Sequence, residues 1–261
     1  MFKRKSIIVV SCAVIIIAVF SAYVRSLYIV PVIMYHSVSA DAEPDNRMQV
    51  SVDLFTRQMK FLKNHHYNVL SLEAVGQMIR DKKRFPPKSV AITFDDGYKD
   101  NYVYAYPVLM KLGLPATIFI IYNEVARSLG DRLSWDEIKE MQASGLITIG
   151  SHTLDHPNLV EIKSEAELKR QIFDSKKNLE EKLGVPVNAF CYPSGRFNAQ
   201  VRDLVIQARY RFAVATGLGK NFSNQDIYLI KRVRVSNSDN LFDFWAKISG
   251  YYNSFREHNH K

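Results

Sequence analysis

Seven short runs of β-branched and aromatic residues recur along the chain, and longer stretches of helical periodicity separate them. In order, the runs read VPVIMYH, SVAITF, ATIFII, LITIGSH, NAFCYP, RFAVAT and LIKRVRV. Alternation of strands and helices predicts a mostly parallel sheet, because parallel neighbours are joined by crossovers that helices usually supply. The fold class is therefore α/β, either an open doubly wound sheet or a closed barrel. Seven strands favour a barrel with one strand fewer than the common eight.

The helical stretches have recognisable ends. Ser134–Glu137 and Ser164–Glu167 both match a capping box, in which a serine and a glutamate each accept a hydrogen bond from the other residue's backbone N–H. Gly145 and Gly184 follow the two apolar patterns, where helices commonly end in a left-handed residue. The second predicted helix is about twenty residues long. Its apolar stripe consists of Leu168, Ile172, Leu179 and Leu183.

The amino terminus begins MFKRK and continues into an uncharged apolar stretch from Ile7 to Val24. That length is enough to span a bilayer, and basic residues before such a segment stay in the cytoplasm. We therefore divide the chain into a basic start with a membrane segment, residues 1–25, and one exported domain, residues 26–261. A retained single-pass anchor that leaves the domain outside the cytoplasm is the favoured prediction. A cleaved signal peptide, which would give a secreted or periplasmic protein, is the alternative, because Ser21–Ala22 provides a small-residue site.

Composition narrows the partners of the exported domain. The 261 residues carry a net charge of +9, and 47% of them are hydrophobic, which is enough for one sizeable core. Four basic residues flank the membrane segment, so the remainder carries only about +5. No basic run with interleaved aromatic residues occurs, and we predict no nucleic-acid partner. Cys191 is the only cysteine after the membrane segment, so the domain has no internal disulfide and relies on its core.

Polar side chains with metal-binding chemistry follow two of the predicted strands. Asp95 and Asp96 come after SVAITF, and His152 and His156 come at and after the end of LITIGSH. The carboxyl ends of parallel strands meet at one face of such a fold, so we expect these side chains to lie together. Two imidazoles and a carboxylate form a facial set that leaves open positions on zinc or a related divalent ion. A pair of surface or capping histidines is the alternative for this spacing.

The adjacent acids allow a division of roles. Successive residues point in different directions, so one carboxylate can bind a metal while the other faces a water molecule and acts as general base. We therefore predict hydrolysis of an amide or an ester. A helix amino-terminal cap is the alternative, because Gly97 permits a tight turn and acids stabilise a helix start.

Three motifs resemble those of the polysaccharide deacetylases, the family with the NodB-type domain that is also called carbohydrate esterase family 4. They are TFDDGY at Thr93–Tyr98, SHTLDHP at Ser151–Pro157 and FCYPSGRFN at Phe190–Asn198. The opening VIMYHSV at Val32–Val38 is similar to the start of the exported bacterial branch, which includes deacetylases of poly-N-acetylglucosamine. The resemblance extends from Pro31 to Val235.

The resemblance implies a distorted (β/α)7 barrel, similar to a TIM barrel. It also implies a hydrolase that removes N-acetyl groups from N-acetylhexosamine units of a cell-envelope or extracellular polysaccharide. By the same resemblance Asp95 is the general base, whereas Asp96, His152 and His156 bind a divalent metal. Zinc is the expected ion, and cobalt, nickel and manganese are the alternatives.

The resemblance also implies a substrate-binding set. By the resemblance, Tyr192 and Pro193 shape the groove for the polymer. Among the aromatic residues, for which a place in the core is the alternative, Tyr98 is the one that we expect to line this groove. The backbone N–H of Ser194 is expected to stabilise the tetrahedral oxyanion together with the metal.

Two positions depart from the family pattern. Cys191 stands where many members have an arginine that orients the base, and LIKRVRV stands where many have a Leu-x-His whose histidine protonates the leaving amine. An arginine is a poor proton donor. Arg232 or Arg234 can instead pair with Asp95, and we predict Arg232 as the orienting residue. His36, at the end of the first strand, is the candidate general acid, with a structural role at the barrel mouth as the alternative.

Two other functions stay open. O-deacetylation of an acetylated sugar or xylan needs less help from an acid, because an alcohol leaves more easily than an amine. A catalytically impaired barrel that only binds glycan is consistent with the missing histidine, although Asp95 and the three expected ligands are present.

Overall fold

A computed structural model of the chain describes residues 14–20, 28–43, 45–128, 130–216 and 226–252. Within these residues the strands, in chain order, are β1 (Val32–Tyr35), β2 (Ser37–Ser39), β3 (Gln49–Ser51), β4 (Asn68–Val69), β5 (Ser89–Phe94), β6 (Ala116–Ile120), β7 (Ile147–Ser151), β8 (Ala189–Cys191), β9 (Phe212–Thr216) and β10 (Ile230–Arg234). The seven predicted strands correspond to β1 and β5 to β10. The three that the sequence pattern did not indicate, β2 to β4, are only two or three residues long.

The seven predicted strands close into a parallel barrel. β1 pairs with β10, the order continues through β9, β8, β7 and β6 to β5, and β5 pairs with β1 again. Val32 lies at the closure, because it is in register with Arg232 on one side and with Ala91 on the other. Every barrel strand therefore has two neighbours, which excludes the open doubly wound sheet. The prediction of a closed (β/α)7 barrel is confirmed.

Helices cover the outside of the barrel. The α-helices extend over Val52–Asn64, Leu72–Arg80, Tyr106–Leu112, Tyr122–Ala126, Trp135–Ala143, Glu165–Lys169, Ser175–Leu183, Ala199–Gln207 and Leu241–Lys247. Two π-helical turns, Asn101–Ala105 and Arg170–Asp174, and two 3-10 turns, Leu159–Glu161 and Pro193–Gly195, are further helical elements of the barrel.

The predicted helix ends are largely confirmed. The capping box at Ser134–Glu137 is present with both hydrogen bonds. The Ser164 hydroxyl also caps its helix, but the Glu167 carboxylate accepts from Arg170 and Gln171 instead of closing the box. Helical structure continues from residue 165 to 183 through the π turn, and Gly184 follows with a φ of 68°.

Side chains alternate along the barrel strands between two apolar layers, as the period of two in a strand requires. Residues of the interior layer include Val32, Ala91, Phe119, Cys191, Val214 and Ile230. Their sequence neighbours Ile33, Ile92, Ile118, Phe190 and Ala213 pack in the layer between the strands and the helices. Both faces of each strand are therefore buried, which explains why the strands are read as nearly continuous apolar runs.

The predicted membrane segment, Ile7–Val24, lies mostly outside the described residues. Residues 14–20 are helical, and their apolar side chains are exposed. Among the residues that the structure describes, no helix combines the length and the hydropathy needed to cross a membrane.

The carboxyl ends of the strands bring the sequence motifs to one end of the barrel. Asp95 follows β5, His152 follows β7, Cys191 ends β8 and Arg232 lies in β10. His36 follows β1, the strand that stands between β5 and β10. Residues that are far apart in the sequence therefore meet at the mouth of the barrel.

Candidate active site

The turn after β5 separates two adjacent carboxylates. The Asp95 N–H donates to the Tyr35 carbonyl at 3.0 Å, so the chain still follows β1 at this residue. Asp96 and Gly97 then take left-handed backbone conformations, with φ of 71° and 70°. A Cβ at Gly97 would lie 2.8 Å from the side chain of Ile120, so the turn needs glycine for both space and conformation. This reversal gives the two aspartates different partners.

Asp95 is paired with Arg232 inside the barrel. Arg232 Nη1 donates to Asp95 Oδ1 at 2.6 Å, and Nη2 donates to Oδ2 at 2.7 Å. Only 1% of the Arg232 side chain and 4% of the Asp95 side chain are exposed. Burial alone would raise the pKa of Asp95, but the guanidinium outweighs it and holds the pKa of this carboxyl well below its usual range. Asp95 is therefore ionised at neutral pH.

Arg232 is held by three further side chains. Nη2 donates to Cys191 Sγ at 3.0 Å, and Nη1 donates to Thr93 Oγ1 at 3.3 Å. The guanidinium carbon lies 5.4 Å from the centre of the Phe119 ring, which is a cation–π distance. Thr93 and Phe119 were not predicted. The sequence does contain a signal for Thr93, because it precedes Asp95 by two residues and so shares its face of the strand.

His36 lies next to Asp95. Its Nε2 is 4.0 Å from Asp95 Oδ2. The His36 carbonyl accepts a hydrogen bond from Asn101 Nδ2 at 2.8 Å, and Asn101 begins the π turn Asn101–Ala105. Burial lowers the pKa of His36 to about 4, although the charge of Asp95 opposes this shift. His36 is therefore a neutral imidazole at pH 7.

Asp96 is buried with one oxygen unpartnered. Its relative exposure is 8%, and in the described part of the chain Oδ1 has no hydrogen-bond partner. The nearest basic atom is His152 Nε2, at 3.6 Å from Oδ1. Burial and the neighbouring charge of Asp95 raise the pKa of Asp96 to about 7. Buried carboxylate oxygens normally have a partner, so this atom indicates a position for a cation or a donor group.

The two histidines present their rings beside Asp96. His152 Nδ1 lies 2.9 Å from the Cys191 carbonyl and donates to it, a bond that leaves the Nε2 lone pair available to a metal. The ring centres of His152 and His156 are 4.5 Å apart, with their planes at 77°. Burial lowers the pKa of both imidazoles, that of His152 to about 3. Both rings are therefore neutral, as metal binding requires.

The loop between the two histidines is held by Gln171, a residue that no sequence pattern indicated. Gln171 Oε1 accepts from the backbone N–H groups of Leu154 at 3.2 Å and Asp155 at 3.1 Å. Its Nε2 donates to the Asp155 carboxylate at 2.8 Å. Gln171 is only 2% exposed and lies in the π turn Arg170–Asp174, where the wider turn changes the helical register. The loop that ends at His156 therefore has a fixed support.

Two overlapping groups of side chains in the described residues could hold a metal ion. One consists of Asp96, His152 and His156, and the other of Asp95, His152 and Cys191. Within each group the ligand atoms lie within 4.8 Å of one another. The first group fits a divalent cation, because Asp96 Oδ1 is unpartnered and His152 uses its other nitrogen for the backbone.

The second group fits a cation poorly. Arg232 occupies both oxygens of Asp95 and also contacts the Cys191 sulfur, which places a positive charge where the ion would lie. Burial raises the pKa of the Cys191 thiol well above its usual range, whereas a metal binds the thiolate. Of the two groups, Asp96, His152 and His156 therefore fit a divalent cation better.

The expected substrate-binding residues differ in exposure. Tyr98 is half-buried, and its ring centre lies 4.1 Å from the Arg132 guanidinium carbon. Ser194 is exposed and has a left-handed φ of 54°. Tyr192 is 0% exposed, and Pro193 is also buried. The Tyr192 side chain has no exposed surface and packs in the layer between the strands and the helices, so it is not placed to contact a polymer, whereas the roles of Tyr98, Pro193 and Ser194 stay predictions.

Comparisons with known proteins agree with this fold. Residues 82–213 match the family model described as polysaccharide deacetylase. YxkH of Bacillus subtilis (strain 168), described as a polysaccharide deacetylase, is 36% identical over 208 residues, which cover 79% of this chain and 71% of that protein. A poly-beta-1,6-N-acetyl-D-glucosamine N-deacetylase of Staphylococcus aureus (strain MRSA252) is 31% identical over 208 residues, which cover 76% of this chain and 71% of that protein.

Solved structures resemble the same part of the chain. The Streptococcus pyogenes deacetylase PplD, in complex with acetate, matches with a TM-score of 0.77 and 27% identity, over 84% of this chain and 97% of that one. The structure of IcaB from Ammonifex degensii matches with a TM-score of 0.72 and 26% identity, over 87% of this chain and 97% of that one.

Proposed function

The chain belongs to the polysaccharide deacetylase family, the hydrolases of carbohydrate esterase family 4, and from this membership we propose that it removes N-acetyl groups from N-acetylhexosamine units of a cell-envelope or extracellular polysaccharide. One observation carries the proposal. Asp96, His152 and His156 present ligand atoms within 4.8 Å of one another, and the ionised Asp95 lies beside them. The Staphylococcus aureus relative makes poly-β-1,6-N-acetylglucosamine the first polymer to test. Peptidoglycan and chitin-like polymers are the next candidates.

The proposed cofactor is a divalent cation held by Asp96, His152 and His156. Zinc is the first candidate, followed by cobalt, nickel and manganese, because one carboxylate and two imidazoles suit all four ions. Such an ion supplies a Lewis acid for the acetyl carbonyl and lowers the pKa of water.

Asp95 is the proposed general base that removes a proton from the attacking water. Its two hydrogen bonds with Arg232 keep the carboxylate ionised and fix its orientation. The same pairing lowers the basicity of Asp95, so the contribution of Arg232 is positioning rather than base strength. Arg232 thereby takes the role that an arginine at the position of Cys191 has in many relatives.

His36 is the proposed proton donor to the leaving amine. Because it is neutral at pH 7, it must first receive a proton, and Asp95 lies 4.0 Å away. The proton that Asp95 removes from water is the proposed source of the one that His36 passes to the amine nitrogen, and this transfer requires the 4.0 Å separation to shorten to a hydrogen-bond distance. The exposed Ser194 contributes its backbone N–H to the oxyanion.

One observation favours a second candidate function, O-deacetylation of an acetylated sugar. The pKa of about 4 makes His36 a proton donor only after it has accepted a proton. An alcohol leaves without prior protonation more readily than an amine does, so an ester substrate demands less of this residue.

The domain is proposed to work outside the cytoplasm, anchored by the segment Ile7–Val24. The support is the sequence pattern of a basic start followed by an uncharged apolar stretch. Protease treatment of intact cells tests this location, because an external domain is degraded whereas a cytoplasmic one is protected.

Acetate release by the full-length protein, purified in detergent, tests the reaction. We expect release from β-1,6-linked N-acetylglucosamine oligomers, loss of that release after chelation, and recovery when zinc is added. Acetylated xylan in a parallel assay distinguishes hydrolysis of an ester from hydrolysis of an amide. If the protein binds the oligomer but releases no acetate from either substrate, with or without metal, the proposal that it is an enzyme is refuted.

A further inference from the structure

The amino end of the barrel carries a surface that the proposed reaction does not use. It lies at the start of β5, whereas Asp95 follows the end of the same strand. Six strand residues span about 20 Å, so this surface faces away from the candidate active site. A groove of about 870 Å³ is lined there by Tyr28, by residues 83–88, and by Ser249 and Tyr251. We call these residues the basal surface.

The chain enters the domain at the basal surface. The Ile29 N–H donates to the Gly250 carbonyl at 2.9 Å, and the ring centres of Tyr28 and Tyr251 are 5.7 Å apart. These contacts fix Tyr28 at the amino end of the barrel. Three residues separate it from Val24, the last residue of the predicted membrane segment. Four peptide steps reach at most about 14 Å, so an inserted segment holds the basal surface close to the bilayer.

The loop that leads into β5 is strongly basic. Residues 81–88 read DKKRFPPK, with four basic residues and one acid. Arg84 is exposed, and in the described part of the chain its side chain has no ion pair or hydrogen bond. Lys83 pairs with Asp81 at 3.1 Å, and Lys88 donates to a backbone carbonyl at 3.0 Å, which leaves its charge uncompensated. The loop therefore presents net positive charge to its surroundings.

Aromatic side chains accompany these charges. Phe85 and Tyr251 are half-buried in the wall of the groove. The helix Leu241–Lys247 leads toward the same end, and its Phe242 and Trp245 are 69% and 47% exposed, with ring centres 5.6 Å apart. Aromatic rings together with lysine and arginine are typical of protein surfaces at a bilayer interface, where rings lie at the level of the headgroups and cations contact anionic lipid.

We propose that the basal surface docks on anionic lipid headgroups of the membrane that holds the anchor of the same chain. The proposal rests on the proposed location outside the cytoplasm and adds how the domain is oriented there. A tether of at most about 14 Å keeps the basic loop within two Debye lengths of the headgroups at physiological salt. The membrane is therefore the polyanion that the chain itself places nearest. In the docked state the barrel mouth opens away from the bilayer, toward polymer outside the cell.

Fluorescence quenching in lipid nanodiscs tests the docking. The full-length protein receives Cys12→Ser and Pro86→Cys, and a fluorophore is attached at position 86, while the buried Cys191 stays unlabelled. The discs carry nitroxide-labelled headgroups in phosphatidylcholine alone or in equal parts of phosphatidylcholine and phosphatidylglycerol. We expect stronger quenching on the anionic discs and less of it in high salt, because salt screens surface charge. A fluorophore at the exposed position 166, introduced by Ala166→Cys, should be unaffected by lipid charge.

A charge variant separates docking from tethering alone. Lys83→Gln, Arg84→Gln and Lys88→Gln together should remove the difference between the two kinds of disc. Each basic residue near an anionic surface contributes roughly a factor of five, so the three should shift the ratio of docked to undocked protein about 100-fold. The matched control exchanges three exposed lysines away from the basal surface for glutamine, and the difference should persist. These lysines are Lys139, Lys163 and Lys177.

The readout does not involve acetate release, so the docking and the proposed reaction can fail independently. Equal quenching on neutral and anionic discs, or quenching that the triple variant leaves unchanged, would overturn the docking while the anchor stands. Displacement from anionic discs by soluble polyphosphate, at matched phosphate concentration and ionic strength, would assign the surface to a free polyanion and overturn the docking as well. A chain that does not enter the discs would overturn the anchor and the docking together.

Discussion

Asp95 and Asp96 are neighbours in the chain, yet the structure surrounds them in opposite ways. Asp95 has both oxygens paired with one guanidinium, and its pKa is held low. Asp96 has an unpartnered oxygen, and its pKa is raised to about 7. Both are buried, so burial cannot account for the difference. The opposite pKa shifts come from the neighbouring groups. The Arg232 guanidinium stabilises the ionised form of Asp95, whereas the basic side chains beside Asp96 are neutral imidazoles.

One turn can therefore supply carboxylates for two functions. The paired half of the site, defined by Asp95, Arg232 and Cys191, has its charges satisfied within the protein. The open half, defined by Asp96, His152 and His156, leaves one carboxylate oxygen without a partner in the described residues, and the proposed cation would supply that partner. We therefore expect mutations in the two halves to change different properties of the protein.

The largest effect is expected from exchanging each carboxylate for an amide. Asp95→Asn should lower kcat by a factor of about 10²–10⁴ and leave metal binding intact, because it removes the base and no ligand. Asp96→Asn should weaken metal binding by more than about 100-fold, because even a supporting residue of a metal site is worth 10–100-fold. Acetate-release kinetics and metal titration measure the two effects. Asp203→Asn, at a side chain that is 63% exposed, is the control.

Equal loss of metal by both variants would contradict this division of roles, since the two carboxylates would then act as one metal-binding cluster.

A smaller effect is expected when the paired half loses its cation. In Arg232→Met the pKa of Asp95 should rise, because burial then acts without the guanidinium. Asp95 would be protonated at a higher pH, so the acid limb of the pH–activity profile should move upward. Breaking a buried pair should also cost about 3–5 kcal/mol of unfolding free energy. Arg232→Lys keeps the charge without the bidentate geometry and should move the acid limb less.

An acid limb at the same pH in Arg232→Met and the parent would show that Asp95 is not the group that titrates.

The smallest effect concerns the support of the open half. Gln171→Met preserves side-chain length but removes the hydrogen bonds to Leu154 and Asp155. We expect metal affinity to fall about tenfold, as for other residues that orient ligands. At saturating metal, kcat should approach that of the parent. Gln200→Met, at an exposed glutamine of the helix Ala199–Gln207, is the control, and an unchanged affinity in Gln171→Met would refute the positioning role.

The barrel could be predicted from the sequence because its strands are buried on both faces. All seven apolar runs form barrel strands, the capping serines begin helices, and Gly184 ends one, as their residue types indicate. Strands β2 to β4 were missed because two or three residues are too few to show a period. The polar residues after β5 and β7 could be predicted to lie together, because the carboxyl ends of parallel strands meet at one face of the fold.

The supports of the site could not be predicted, because they depend on tertiary register. Gln171 and Asn101 point at the site from π turns, which have no reliable sequence signal. Tyr192 was expected at the groove because of the resemblance of its motif, but its side chain is buried in the apolar layer. The pairing of Asp95 with Arg232 was predicted from what the motif lacked, and its role is what the Arg232 variants test.

The bond between Asp95 and Arg232 joins residues separated by 137 positions, and β1 stands between their two strands. A ribosome delivers β1 and β5 early and β10 near the end of synthesis. Until β10 arrives, the ring is open and Asp95 has no arginine beside it. Long-range contacts of this kind form late and slow the folding of a domain. Nascent or carboxyl-terminally shortened chains should therefore be inactive, whatever metal they bind.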